Sequence, residues 1–222
     1  MQKRFLCALN RGDWVNLVII LLMVSAFLLT RVTNMRLAVW ILSAQSLVVA
    51  AASLVKGFET GQLHYFFAAL MTAVIKAGII PYALFRILGR LKRERETVTA
   101  LTANRSSLAA LAATAVAYSF IDRTMLGVIS RDAVAASIAL ALIGLLIIML
   151  RHQAVLQIIG LNTMENGLYL LGLSLADGLP LIIELGIFFD ALVAVGILGL
   201  LTYRLKLSYS STDTSLLERL RG

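Results

Sequence analysis

One cysteine, Cys7, stands in a chain of 222 residues. That excludes an intrachain disulfide and any metal centre built on several thiolates. The two histidines, His64 and His152, lie far apart and near the ends of apolar runs, where they suit a membrane interface better than a shared metal site. No glycine-rich phosphate loop, nucleophile elbow or mid-membrane pair of haem-ligating histidines is present, so no catalytic site is expected in the chain itself. Charge is scarce as well. Only 14% of the residues are charged, whereas a soluble domain carries about 25% and needs them to solvate its surface.

What fills the chain is apolar. Hydrophobic residues make up 60% of it and the mean hydropathy is +0.90. A helix needs about 20 mostly apolar residues to cross the roughly 30 Å hydrocarbon core of a bilayer. Seven stretches fit: Trp14–Thr30, Leu37–Val55, Leu63–Leu88, Leu108–Ile121, Ala133–Leu150, Gln153–Ala176 and Pro180–Tyr203. None has the two-residue alternation of a barrel strand, and lipid offers unpaired backbone groups no partner. The expected fold is all-α and integral to the membrane, with about seven transmembrane helices. The run from Trp14 lacks a small-x-small cleavage site and reads as a retained anchor.

The net charge of +8, from 20 Lys and Arg against 12 Asp and Glu, comes from residues between these runs. It therefore bears on orientation, and no nucleic-acid partner is expected. The densest basic run, RILGRLKRERETVTALTANR, covers Arg86–Arg105. With that segment in the cytoplasm, the N-terminus lies outside and the C-terminus inside. Thirteen basic residues are then inside: Arg31, Arg36, Arg86, Arg90, Lys92, Arg93, Arg95, Arg105, Arg151, Arg204, Lys206, Arg219 and Arg221. Six are outside (Lys3, Arg4, Arg11, Lys56, Arg123 and Arg131), and Lys76 is within a span. A multi-pass protein of the inner membrane is expected. The basic run also divides the chain into an N-terminal region, 1–106, with three helices, and a C-terminal region, 107–222. The polar tail from Ser208 ends in a short amphipathic stretch, LLERLRG, expected at the cytoplasmic surface.

A charged group at the middle of a spanning helix costs about 2.5–3.5 kcal/mol on insertion scales, so the few present are informative. Lys76 stands in MTAVIKAGIIPYAL, Glu165 in GLNTMENGLYLLG and Asp190 in LGIFFDALVAVG; Glu184 lies nearer the outer end of the last span. Lys76, Glu165 and Asp190 fall at similar depth, so packed helices would gather them into a polar layer parallel to the membrane. Burial disfavours the charged form of acid and base alike, which suits such groups to proton exchange. Asn162, Glu165 and Asn166, at i, i+3 and i+4, share a helical face as polar support. Gly160 and Gly167 leave room for a neighbouring backbone or water. Pro81 removes a backbone donor near Lys76. A structural ion pair that fixes helix register is the other reading of Lys76 and Glu165.

The stretch from about residue 133 to 205, through TMENGLYLLGL and ELGIFFD, resembles the hydrogenase-4 component E family of membrane proteins. That family is similar in turn to the small K subunit of respiratory complex I and the C subunit of multisubunit cation/proton antiporters. The resemblance matches Glu165 to the mid-membrane glutamate of a three-helix core. Asp190 falls near the second acid of that core, as Asp where the K subunit has Glu, and Glu184 competes for the place. It implies a non-catalytic membrane subunit of an energy-converting assembly. Antiporter-like membrane subunits and a hydrogenase-type peripheral arm would be its partners, and iron–sulfur clusters and a nickel-iron centre would belong to those partners. Glu165, Asp190, Glu184 and Lys76 would be proton-relay groups. A purely structural subunit and a stand-alone secondary transporter are the alternatives; the latter usually carries inverted repeats or broken helices, which this sequence does not display.

Overall fold

A computed structural model describes residues 13–89, 103–124 and 131–174, together with Gly186 and Gly196. The expected seventh span, Pro180–Tyr203, with Glu184 and Asp190, lies outside the described residues apart from those two glycines. So does most of the basic segment after Gly89.

Within the described residues the chain is all-helical. Helix α1 covers Asp13–Arg31, α2 Met35–Thr60, α3 Leu63–Leu88, α4 Ala103–Thr124, α5 Arg131–Leu150 and α6 Ala154–Ser174. The turn between α2 and α3 and the start of α2 have clear local causes. The Asn34 side chain accepts from the Arg36 N–H at 3.0 Å and starts α2. Gly61, at φ +69°, ends it in the left-handed conformation that a residue with a Cβ rarely adopts. Rings on either side of that turn, Phe58 and Phe66, meet edge to face.

Among the described residues, four helices are long and apolar enough to cross a membrane: α1 from Trp14, α2, α3 and α5. Helix α4 falls short because Asn104 and Arg105 at its start and Asp122 and Arg123 at its end leave too short an apolar stretch between them. Helix α6 falls short because Gln157, Asn162, Thr163, Glu165 and Asn166 interrupt its apolar residues. All but Gln157 of those are buried. The polar groups that lower its hydropathy thus face the protein and not its outer surface.

Outward faces carry large apolar residues instead, among them Ile20, Trp40, Phe67, Val116 and Phe120. Apolar outside and polar inside inverts the soluble pattern and suits a lipid solvent. This is a membrane protein by composition, helix length and the direction its side chains face.

Helix α6 packs most closely on α5. A Cβ on Gly144 would collide with the Met164 backbone and come within 2.7 Å of the Gly160 carbonyl. One on Gly167 would meet the Ala141 nitrogen and the Ser137 carbonyl at 2.7 Å. The space that Gly160 and Gly167 leave is filled by the backbone of α5, which brings the two helices to direct contact. Helix α2 then lies against α1, α3 and α6, and α1 against α4 and α5. Arg151 closes the far end of α1. Its Nη2 donates to the Thr30 carbonyl at 2.7 Å and the Val32 carbonyl at 3.1 Å, where the carbonyls that close a helix need a partner.

Candidate functional site

Helix α3 is not uniformly α-helical. From Thr72 to Ile79 it runs in the wider π form, and the Ile80 N–H reaches back to the Ile75 carbonyl. Pro81 lies just beyond. It has no N–H to give the Ala77 carbonyl four residues earlier, and its ring crowds that carbonyl. The Ser43 hydroxyl of α2 donates to the Ala77 carbonyl at 3.0 Å. A neighbouring helix thus serves a backbone group that proline leaves short, and Lys76 sits inside the widened turn.

The Lys76 ammonium points into the bundle. Its Nζ lies 3.2 Å from Glu165 Oε2 on α6, and the two side chains are only 2% and 4% exposed. Nζ also donates to Asn166 Oδ1 at 3.4 Å. An ammonium taken out of water needs both countercharge and acceptors, because desolvation costs several kcal/mol per ion, roughly, before any pairing. Glu165 supplies the charge and Asn166 a further oxygen.

The polar layer continues away from the pair. Asn166 Nδ2 donates to Gln45 Oε1 on α2 at 3.2 Å, and the Thr163 hydroxyl, which donates to the Ile159 carbonyl at 2.9 Å, lies 3.4 Å from the same oxygen. Gln45 Nε2 donates to the Leu22 carbonyl of α1 at 3.4 Å. Four helices therefore contribute to one connected, buried network. Above it, Ser53 Oγ donates to Tyr169 Oη at 2.8 Å, a second polar tie between α2 and α6. Gly186, itself helical, stands beside the same tyrosine ring, with its Cβ direction 3.9 Å from Cδ2.

Of the residues the sequence singles out, the structure joins Lys76, Glu165 and Asn166 directly. Asn162 is buried on the same helix, but its Nδ2 turns back to the Ile158 carbonyl at 3.0 Å. Asp190 and Glu184 lie outside the described residues. Gln45, Thr163 and the fully buried Ser46 are not singled out by the sequence. The available signal is a neutral amide in the middle of an apolar run, at Gln45, which a search for charged residues passes over. The geometry can do two things chemically: hold an ion pair out of water, or let one proton move between a nitrogen and an oxygen already in contact.

No family model matches the chain. It is 29% identical over 191 residues to an uncharacterized protein of Mycobacterium tuberculosis, Rv0085, covering 85% of this chain and 87% of that protein. It is 34% identical over 92 residues to hydrogenase-4 component E of Escherichia coli and of Shigella flexneri. That match spans 41% of this chain and 43% of those proteins, so the likeness to them is partial. No solved structure matches.

Proposed function

We propose that this chain is a membrane subunit of a hydrogenase-4-like redox assembly, in which Lys76 and Glu165 exchange a proton on the ion-translocation path. The observation that carries the reading is the ion pair itself: an acid and a base 3.2 Å apart, nearly sealed from solvent and joined to a hydrogen-bonded layer. Titratable groups that deep in a membrane protein favour a role in ion movement. The partial likeness to hydrogenase-4 component E supports the kind of complex.

On this reading the chain spans the inner membrane seven times, with its N-terminus outside and its C-terminus in the cytoplasm. Antiporter-like membrane subunits flank it. A peripheral arm carries the iron–sulfur clusters and the nickel-iron centre, and this chain carries no redox group. Asp190, with Glu184 as the alternative, continues the path from Glu165. Redox turnover in the arm rearranges the membrane part and moves the balance between the charged and neutral forms of the pair.

Two experiments test this in order. A tagged chain is recovered from its native membrane in mild detergent, and its companions are identified by mass spectrometry. Large membrane subunits with a hydrogenase-type arm are expected; a folded chain that emerges alone rejects the assembly. Inverted vesicles are then energised with dihydrogen and benzyl viologen, and acidification is followed with a pH-sensitive dye. Glu165→Gln is expected to abolish acidification while the complex assembles and still reduces the viologen. Undiminished acidification in that variant rejects the proton role. Because the pair also ties α3 to α6, loss of assembly instead of pumping would assign it a purely structural role.

A further inference from the structure

The network beside the pair has a direction. A lysine ammonium can only donate, so the group that Lys76 meets on Asn166 is the amide oxygen, at 3.4 Å. The Asn166 amide nitrogen then faces the opposite way, toward Gln45 Oε1 at 3.2 Å. Gln45 in turn presents its nitrogen to the Leu22 carbonyl, which can only accept and also takes the Ser25 hydroxyl at 2.7 Å. Turning the Asn166 amide over would set its N–H groups against the ammonium. Turning the Gln45 amide over would set its oxygen against the Leu22 carbonyl and its N–H groups against those of Asn166. Neither arrangement is tolerable among side chains so little exposed, because a buried polar group facing its own kind loses its hydrogen bond and gains repulsion.

We propose that Gln45 is a positioning residue for the proton exchange between Lys76 and Glu165, acting through Asn166. This rests on the proton-exchange reading above. The step is Lys76–NH3⁺ and Glu165–COO⁻ going to Lys76–NH2 and Glu165–COOH: one N–H bond breaks, its electron pair stays on nitrogen as a lone pair, and one O–H bond forms on the carboxylate. In both forms Nζ keeps an N–H for Asn166 Oδ1. The amide chain therefore holds the nitrogen in one place while its charge changes, 3.2 Å from the Glu165 oxygen from which the proton can return. The links of the chain, at 3.2–3.4 Å, sit at or beyond the long end of the N–H···O range, so they orient Nζ without competing strongly for its proton.

Two substitutions at position 45 separate this role from simple packing. Gln45→Met keeps the length and removes both polar ends. Gln45→Glu in its protonated form still presents a carbonyl oxygen to Asn166 and an O–H to the Leu22 carbonyl, which preserves the direction of the chain. The full complex is assayed in inverted vesicles with dihydrogen and benzyl viologen, in ordinary water and in deuterium oxide. Gln45→Met is expected to slow acidification about tenfold, as misplacing a reacting group does. It should also enlarge the solvent isotope effect, because proton exchange becomes the slow step. Gln45→Glu is expected to keep at least about half the rate and the natural isotope effect, since position and polarity are both retained. Equal behaviour of the two variants, whether both active or both impaired, overturns the proposal. If Glu165→Gln pumps normally, the underlying proton-exchange reading fails. If Glu165→Gln is dead and Gln45→Met pumps with the natural isotope effect, the positioning role alone fails.

Discussion

A lysine and a glutamate in contact at 3.2 Å, both nearly sealed from solvent, hold each other in place at a cost. Each ion gives up its hydration, and their attraction together with the Asn166 contact offsets the loss. Removing one partner leaves the other charge buried alone, which costs about 3–5 kcal/mol. Removing both leaves only Asn166 short of a donor, a loss of about 1–3 kcal/mol. Lys76→Met and Glu165→Leu are therefore each expected to lower the thermal unfolding midpoint of the detergent-solubilised protein by more than the double substitution does. Simple addition of the two losses would show that the residues are not energetically coupled. Lys76 and Glu165 are legible in the sequence because a full charge inside an apolar run has few explanations. Gln45 and Thr163 are not, because a neutral amide or hydroxyl in a spanning helix is common and cheap. Only the packing of α2 against α6 reveals that these two complete the network.

At the scale of the element, α3 shows how one proline is accommodated. Leu63–Leu88 is readable to the residue as a continuous apolar run, but its π-helical turn is not, since an unbroken run of apolar residues carries no period that separates 4.4 from 3.6 residues per turn, to use roughly the ideal values. Pro81 is the local hint, and the Ser43 hydroxyl that serves the Ala77 carbonyl comes from another helix. Ser43→Ala is expected to cost about 0.5–1.5 kcal/mol, the net worth of a hydrogen bond to a partly buried acceptor. In a Pro81→Ala background the restored N–H can reach the Ala77 carbonyl, and the cost of Ser43→Ala should shrink to a small fraction of that. A double-mutant cycle read by unfolding midpoints decides it: an equal cost in both backgrounds would mean that Ser43 does not compensate for the proline. The close seam of α5 and α6 is partly legible, because glycines at 160 and 167 announce a close approach without naming the helix that makes it.

The whole molecule has two unlike ends. Trp14 Nε1 donates to Glu59 Oε1 at 3.1 Å, which joins the start of α1 to the end of α2, beside Lys56 and His64. At the other end Arg151 caps α1 next to Arg31. The rings of Trp40 and Phe85 meet there at 5.3 Å, bringing the end of α3, with Arg86, back beside Arg36. Four arginines from three chain segments, the α1–α2 turn, the end of α3 and the α5–α6 turn, therefore lie toward one end, which also leads into the basic run that continues after Gly89. Positive residues are retained on the cytoplasmic side, so the proposed orientation sets that end inside and the beginning of α1 outside. The lone cysteine makes this testable without any substitution. Cys7 precedes α1, and a membrane-impermeant maleimide is expected to label it in right-side-out vesicles of native membrane. In a Cys7→Ser background, Thr97→Cys reports the basic run and should react only after the vesicles are inverted or opened. The reverse pattern would place the four arginines on the outer face. The polar layer of Lys76, Glu165, Asn166 and Gln45 would survive such a reversal unchanged, since it is fixed by contacts between helices. The direction in which a proton enters that layer from α1's side would not, and the sidedness of pumping would have to be read the other way round.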